Sequence, residues 1–187
     1  EELPPILRKK VGDSLEPVPF SEPVAAFEKA AARYTKQFPK GENVPAMKYK
    51  LGALYYYHNQ FDKAHAAFSN IIKENGKSQY AKYSARLILD MYNLKKDYSG
   101  METAGKDILD NENFKGTDIE KEVKGVMQRG QFKKANDLEA AKDYPAAAKA
   151  YEEFANQYKG SELGTSASYN AAVNYERGGD LFKAIGA

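Results

Sequence analysis

Apolar residues recur along most of this chain at helical spacing. Met47, Leu51, Leu54 and His58 follow i, i+4, i+7 and i+11, and Ala64, Phe68, Ile71 and Ile72 form a second stripe after a break. Ala81, Ala85, Ile88, Leu89 and Tyr92 make a third. Side chains at these intervals share one face of a helix. Ile119, Val123, Val126 and Met127 run on into Ala135 and Leu138. This predicts one long helix, about 118–142, weakened locally by Gly125 and Gly130. Asn75-Gly76 and Lys159-Gly160 read as helix stops, and Pro145, just after Asp143-Tyr144, suits a first helical turn. No segment alternates with period two for long, so no sheet is expected.

The punctuation between stripes repeats. It reads Asn59-Gln60-Phe61-Asp62-Lys63-Ala64, Lys96-Asp97-Tyr98-Ser99-Gly100-Met101, Lys142-Asp143-Tyr144-Pro145-Ala146-Ala147 and Gly179-Asp180-Leu181-Phe182-Lys183-Ala184. The motifs close at 64, 101, 147 and 184, at spacings of 37, 46 and 37. This is a helix-hairpin repeat of roughly the 34-residue class. Its third unit carries an insertion of about nine residues. A hairpin of this kind leaves one apolar face uncovered, and stacking on its neighbour buries it.

The chain ends read differently. Five of eight prolines, Pro4, Pro5, Pro17, Pro19 and Pro23, fall early. Each fixes φ, removes a donor and extends its predecessor. Residues 1–21 are therefore expected as an extended arm, with Ser21 as the N-cap of a repeat domain over 22–187. The Asp180–Ile185 stretch starts a helix without a polar cap. The expectation is that the repeat array continues, or associates with another copy through this end.

Composition narrows the function. Lys and Arg total 28 against 26 Asp and Glu, and no basic cluster exceeds Arg8-Lys9-Lys10, so no nucleic-acid stripe is present. No apolar run nears the ~18 residues of a membrane span. Without Cys there is no disulfide, thiolate catalysis or Cys-based zinc site. His58 and His65 lack a third ligand at sensible spacing, so they are read as packing residues. The acidic Asp110–Asp118 stretch lacks the alternating ligands and central Gly of a calcium loop. No phosphate-cradling glycine pattern and no nucleophile elbow occurs. No cofactor is called for, and a non-enzymatic protein is expected.

Leu51-Gly52-x-x-Tyr55, followed by Ala64, Phe68 and Ile71, resembles the tetratricopeptide repeat family. Small residues at Gly52 and Ala64 let two helices approach, and Tyr55 and Phe68 fill the gaps beside them. The middle units depart from the pattern: Leu89 stands at the Gly52 position, Gly105 at the Phe68 position and Lys134 at the Leu51 position. The run from Lys142 to Ala184 is similar to bacterial envelope members, of the Tol–Pal-associated periplasmic and barrel-assembly lipoprotein types. The resemblance implies an all-α solenoid of about four hairpins. It also implies a periplasmic or outer-membrane-associated setting, with the cytoplasm as the alternative.

The family register puts Tyr49, Ala53, Tyr56 and Tyr57 on a concave face, where such proteins bind segments of other proteins. Arg86, Asp90 and Asn93 follow in the next unit, and Phe132 and Asn136 in the third. Tyrosine offers a wide apolar face, few rotamers and a polar tip. The same rings could instead pack against neighbouring repeats, as Tyr80 and Tyr83 are expected to do. A protein or peptide partner is the leading expectation. A glycan-binding module and a structural spacer are the alternatives.

Overall fold

The structure, a computed structural model, describes residues 14–186. Among these it is all-α, a helical-repeat solenoid by class, with no strand. The helices are α1 (Glu22–Gln37), α2 (Val44–Tyr57), α3 (Phe61–Glu74), α4 (Gln79–Leu94), α5 (Tyr98–Leu109), α6 (Asp118–Ala140), α7 (Tyr144–Gln157), α8 (Glu162–Arg177) and α9 (Leu181–Gly186). A 3-10 turn, Glu112–Phe114, precedes α6. The chain divides into two compact units within α6, between Lys124 and Gly125. In the first, α1 to α5 pack each on the next, and α2 also packs on α4. In the second, α7 packs on α8 and α8 on α9.

Residues 14–21 carry no helix, and the rest of the expected arm lies outside the described residues. Ser21 occupies the N-cap of α1 with extended backbone, but its hydroxyl makes no capping bond. Pro23 sits in the first turn, where its missing N–H costs nothing.

The four punctuation motifs fold as the same turn. Asn59, Lys96, Lys142 and Gly179 all have left-handed backbone, at φ 57°, 54°, 62° and 85°. Each donates its N–H to the carbonyl three residues back, for example Asn59 to Tyr56 at 3.0 Å. The following residue donates to the carbonyl five back: Gln60 to Tyr55, Asp97 to Tyr92, Asp143 to Leu138 and Asp180 to Tyr175, at 2.9 to 3.0 Å. This paired pattern satisfies the last carbonyls of a helix and reverses the chain. Asp97, Asp143 and Asp180 then cap the next helix by accepting from Gly100, Ala146 and Lys183 N–H groups. Gln60 makes no such bond.

The insertion is mostly helix. α6 has 23 residues against 16 for α4. Seven extra residues are close to two full turns, so the added length changes the facing of the helix by only ~20°. The remainder lies in the segment holding the 3-10 turn, where Phe114 is buried.

Close approach and large rings alternate in the cores. In α2, a methyl at Gly52 would lie 2.6 Å from Phe68 Cε1, so the Phe68 ring occupies the space a side chain would need. Phe68 is fully buried, worth roughly 1.5–3 kcal/mol of transfer free energy. In the next hairpin both Leu89 and Gly105 are buried, so the large residue is on the first helix and the small one on the second. The second unit is built on small residues: Ala135, Ala147, Ala167 and Ala171 are fully buried around Tyr151 and Phe154.

Candidate protein-binding face

Within the first unit the predicted residues lie on neighbouring first helices, where most of them bridge one helix to the next. Tyr49 of α2 meets Tyr80 and Tyr83 of α4 with ring centroids 5.5 and 5.9 Å apart. The Tyr56 hydroxyl donates to Asp90 Oδ2 at 2.5 Å. Arg86 of α4 forks onto Glu122 of α6, Nε to Oε1 at 2.7 Å and Nη2 to Oε2 at 2.8 Å. The pair is bidentate but half-exposed, at 47% and 38%, so its net contribution is about 1 kcal/mol or less.

Electrostatics follow the packing. Burial raises the Tyr49 phenol, helped by the Tyr57 and Tyr83 phenols. Burial, then the Asp90 bond, raises Tyr56. The Glu122 hydrogen bond holds the Arg86 guanidinium firmly protonated.

The remaining positions differ in what they present. Ala53 is 5% exposed and offers no surface to a ligand, a correction to its expected place in the groove lining. Buried small residues keep helices close. Tyr57 stands edge-on to Tyr56 at 5.5 Å. Tyr57, Tyr80 and Tyr83 are half-buried or exposed, and Tyr83 also lies 5.9 Å from the Arg86 guanidinium. The hydroxyls of Tyr49, Tyr57, Tyr80 and Tyr83, and the Asn93 carboxamide, make no hydrogen bond among the described residues.

Phe132 and Asn136 belong to the second unit and work inside it. The Phe132 ring packs edge-on against Tyr151 and Phe154, at 5.6 and 5.2 Å. Asn136 Oδ1 accepts from the Tyr151 hydroxyl, which also donates to Glu139 Oε2 at 3.0 Å. Arg177 in turn donates to Glu139 Oε1 at 2.7 Å. Burial and the Glu139 bond raise the Tyr151 phenol. Phe132 is half-buried: one side of its ring packs on the core of this unit, and the rest stays open to solvent.

Tyr83 and Glu122 were not among the expected site residues. Tyr49 meets Tyr83 and Tyr56 meets Asp90 at an offset of 34 residues, short of the 37-residue spacing of the turns, which pairs these positions with Arg86 and Asn93 instead. Tyr55 faces both neighbours: its hydroxyl donates to Glu28 Oε1 of α1 at 2.7 Å, and Lys63 of α3 lies over its ring at 5.4 Å.

A cleft of about 360 Å³ elsewhere in this unit is lined by residues including His65, Ile72, Ile88, Ala104, Ile108 and Asn111. Burial lowers the His65 pKa, opposed by the nearby Asp107 and Asp62 carboxylates. Its ring stands edge-on to Tyr92. Among the described residues no three His, Asp or Glu side chains converge as a metal site, and no helix is long and apolar enough to cross a membrane. No protein-family model and no curated protein matches the chain.

Proposed function

We propose that the chain is a tetratricopeptide-like scaffold, not an enzyme, whose α2–α4 face takes up a segment of another protein. The observation that carries this reading is the group of tyrosine rings on that face, Tyr49, Tyr57, Tyr80 and Tyr83, whose hydroxyls bond to none of the described residues. Rings held by their neighbours lose little entropy on binding, and free hydroxyls can fix the register of a bound segment. Asn93 adds a carboxamide that bonds to none of the described residues. The envelope setting, periplasmic or outer-membrane-associated, rests on the resemblance of Lys142–Ala184 to envelope repeat proteins.

Proximity crosslinking tests the face. A photoreactive residue replaces Tyr57 in the native host, with a control at the exposed Lys73 of α3. Crosslinking to one defined envelope protein from position 57 alone is the expected result. Equal labelling from both positions removes the face as a receptor.

A second role is favoured by one observation. Leu181, Phe182 and Ile185 of α9 are 60%, 93% and 88% exposed, a grouping that suits stacking on a further helix, as in a spacer within an array. Sedimentation tests it: a mass that rises with concentration, and falls back with Phe182→Asp, supports stacking.

A further inference from the structure

Among the described residues, the turn between α2 and α3 has a role of its own. It holds an extended segment of the chain. Asn59 Nδ2 donates to the Ser14 carbonyl at 2.9 Å and to the Glu16 carbonyl at 3.1 Å. Gln60 Nε2 donates to the Val18 carbonyl at 3.0 Å, and Val18 N–H donates back to the His58 carbonyl at 2.8 Å. Phe20 then inserts its ring against Tyr55, stacked at 5.8 Å, and His58, edge-on at 4.8 Å. Every one of these hydrogen bonds goes to main-chain atoms of the arm; only Phe20 is held by its side chain in the aromatic contacts.

Two further observations set this turn apart. Where the other turns place a capping Asp, this one places Gln60, and α3 is left without a side-chain cap. The carboxamide faces the arm instead. In addition, Asn59 is 4% exposed and its Oδ1 is buried without a donor among the described residues. The arm has prolines at 17 and 19, which carry no N–H, and the Glu16 N–H is engaged by Ser14 Oγ. The site therefore has an acceptor that residues 14–21 leave unused, and a buried acceptor of this kind favours a ligand that supplies the donor.

We infer that the α2–α3 turn is a binding site for an extended peptide with an aromatic anchor, and that the arm is its exchangeable resident. Carboxamides at 59 and 60 read the main chain, and the Tyr55–His58 niche reads the ring. A partner segment with an N–H within reach of Asn59 Oδ1 displaces the arm. This site is distinct from the α2–α4 face and does not depend on it.

The test uses the full-length chain with residues 14–20 replaced in place by Gly and Ser, which empties the turn. The probe is a labelled peptide with the sequence of residues 14–21. Saturable binding to the emptied chain is expected. Because an arm in cis acts at roughly millimolar effective concentration, the unmodified chain should bind at least about tenfold more weakly. Asn59→Ala in the emptied chain, or Phe20→Ala in the peptide, should each abolish saturable binding. Absence of binding at several times that concentration, or binding indifferent to Asn59→Ala, overturns the proposal. If the emptied chain fails to fold, amide exchange on the unmodified chain decides. The Val18 amide must then exchange by local undocking, far faster than the Phe68 amide. A Val18 amide as slow as Phe68 makes the arm an integral part of the fold and overturns its exchangeability.

Discussion

The first hairpin, α2–α3, and the three that follow share a backbone and differ in what their side chains do with it. All four reverse through a left-handed residue with the same two hydrogen bonds. At 96, 142 and 179 that residue is Lys or Gly and the next is an Asp that caps the following helix. At 59 and 60 the pair is Asn and Gln, and both carboxamides face the arm. The packing differs in parallel. Gly52 and Phe68 place the large residue on the second helix, whereas Leu89 and Gly105 place it on the first. The backbone of a repeat is therefore permissive, and a few side chains decide whether a turn caps a helix or holds a chain.

The largest expected effects test the packing half of this contrast. Phe68→Ala should cost about 3–5 kcal/mol in denaturant unfolding, since the ring is fully buried. Gly52→Ala should cost about 1–3 kcal/mol, because the new methyl falls 2.6 Å from the edge of the Phe68 ring. If Gly52→Ala is neutral, the complementarity of this pair is wrong.

Next come the caps. Asp97→Ala and Asp143→Ala should each lose about 1 kcal/mol, with the loss seen first in α5 and α7 by hydrogen exchange. Gln60→Ala removes no cap. It should leave the α3 amides unchanged while speeding exchange at Val18. Equal losses at all three positions would erase the distinction between the turns.

Glycine at the left-handed positions should act with opposite signs. Lys96→Gly and Lys142→Gly relieve the strain of a side chain at positive φ, for a gain of about 0.5–1 kcal/mol in unfolding measurements. Asn59→Gly relieves the same strain but removes both bonds to the arm, and should release it. A released arm shows as loss of the Phe20 ring-current shift on His58.

The smallest effect is a pH dependence of the first unit. His65 is held below its ordinary pKa of 6.5 by burial. The unfolded chain therefore binds the proton first. Stability is full above pH 6.5 and is lost as pH falls through the depressed folded value. His65→Gln should flatten the thermal-midpoint profile over that window. An unchanged profile would place the titrating group elsewhere.

Much of the fold was legible because it is local. The stripe from Ile119 to Leu138 predicted a single long helix, and α6 is one. The four punctuation motifs predicted turns, and each is a turn. The candidate face was legible only as a set of positions. Tyr56 to Asp90 and Arg86 to Glu122 are bonds between helices more than thirty residues apart in sequence, and a helical stripe says nothing about which polar tips meet across it. Ala53 shows the same limit from the apolar side: register names a face, but burial depends on the neighbour. The role of Asn59 and Gln60 was hidden because Asn is already an ordinary residue for a left-handed turn.

On the function proposed above, the α2–α4 tyrosine face receives a protein segment. The most direct measurement is the affinity of the full-length chain for the segment captured by crosslinking from position 57. It compares the unmodified chain, Tyr57→Ala, Tyr83→Ala and the control Lys73→Ala by titration calorimetry. Loss of at least about tenfold in affinity for each tyrosine variant, with the control unchanged, is the predicted result. Affinities that stay the same in both tyrosine variants would contradict it.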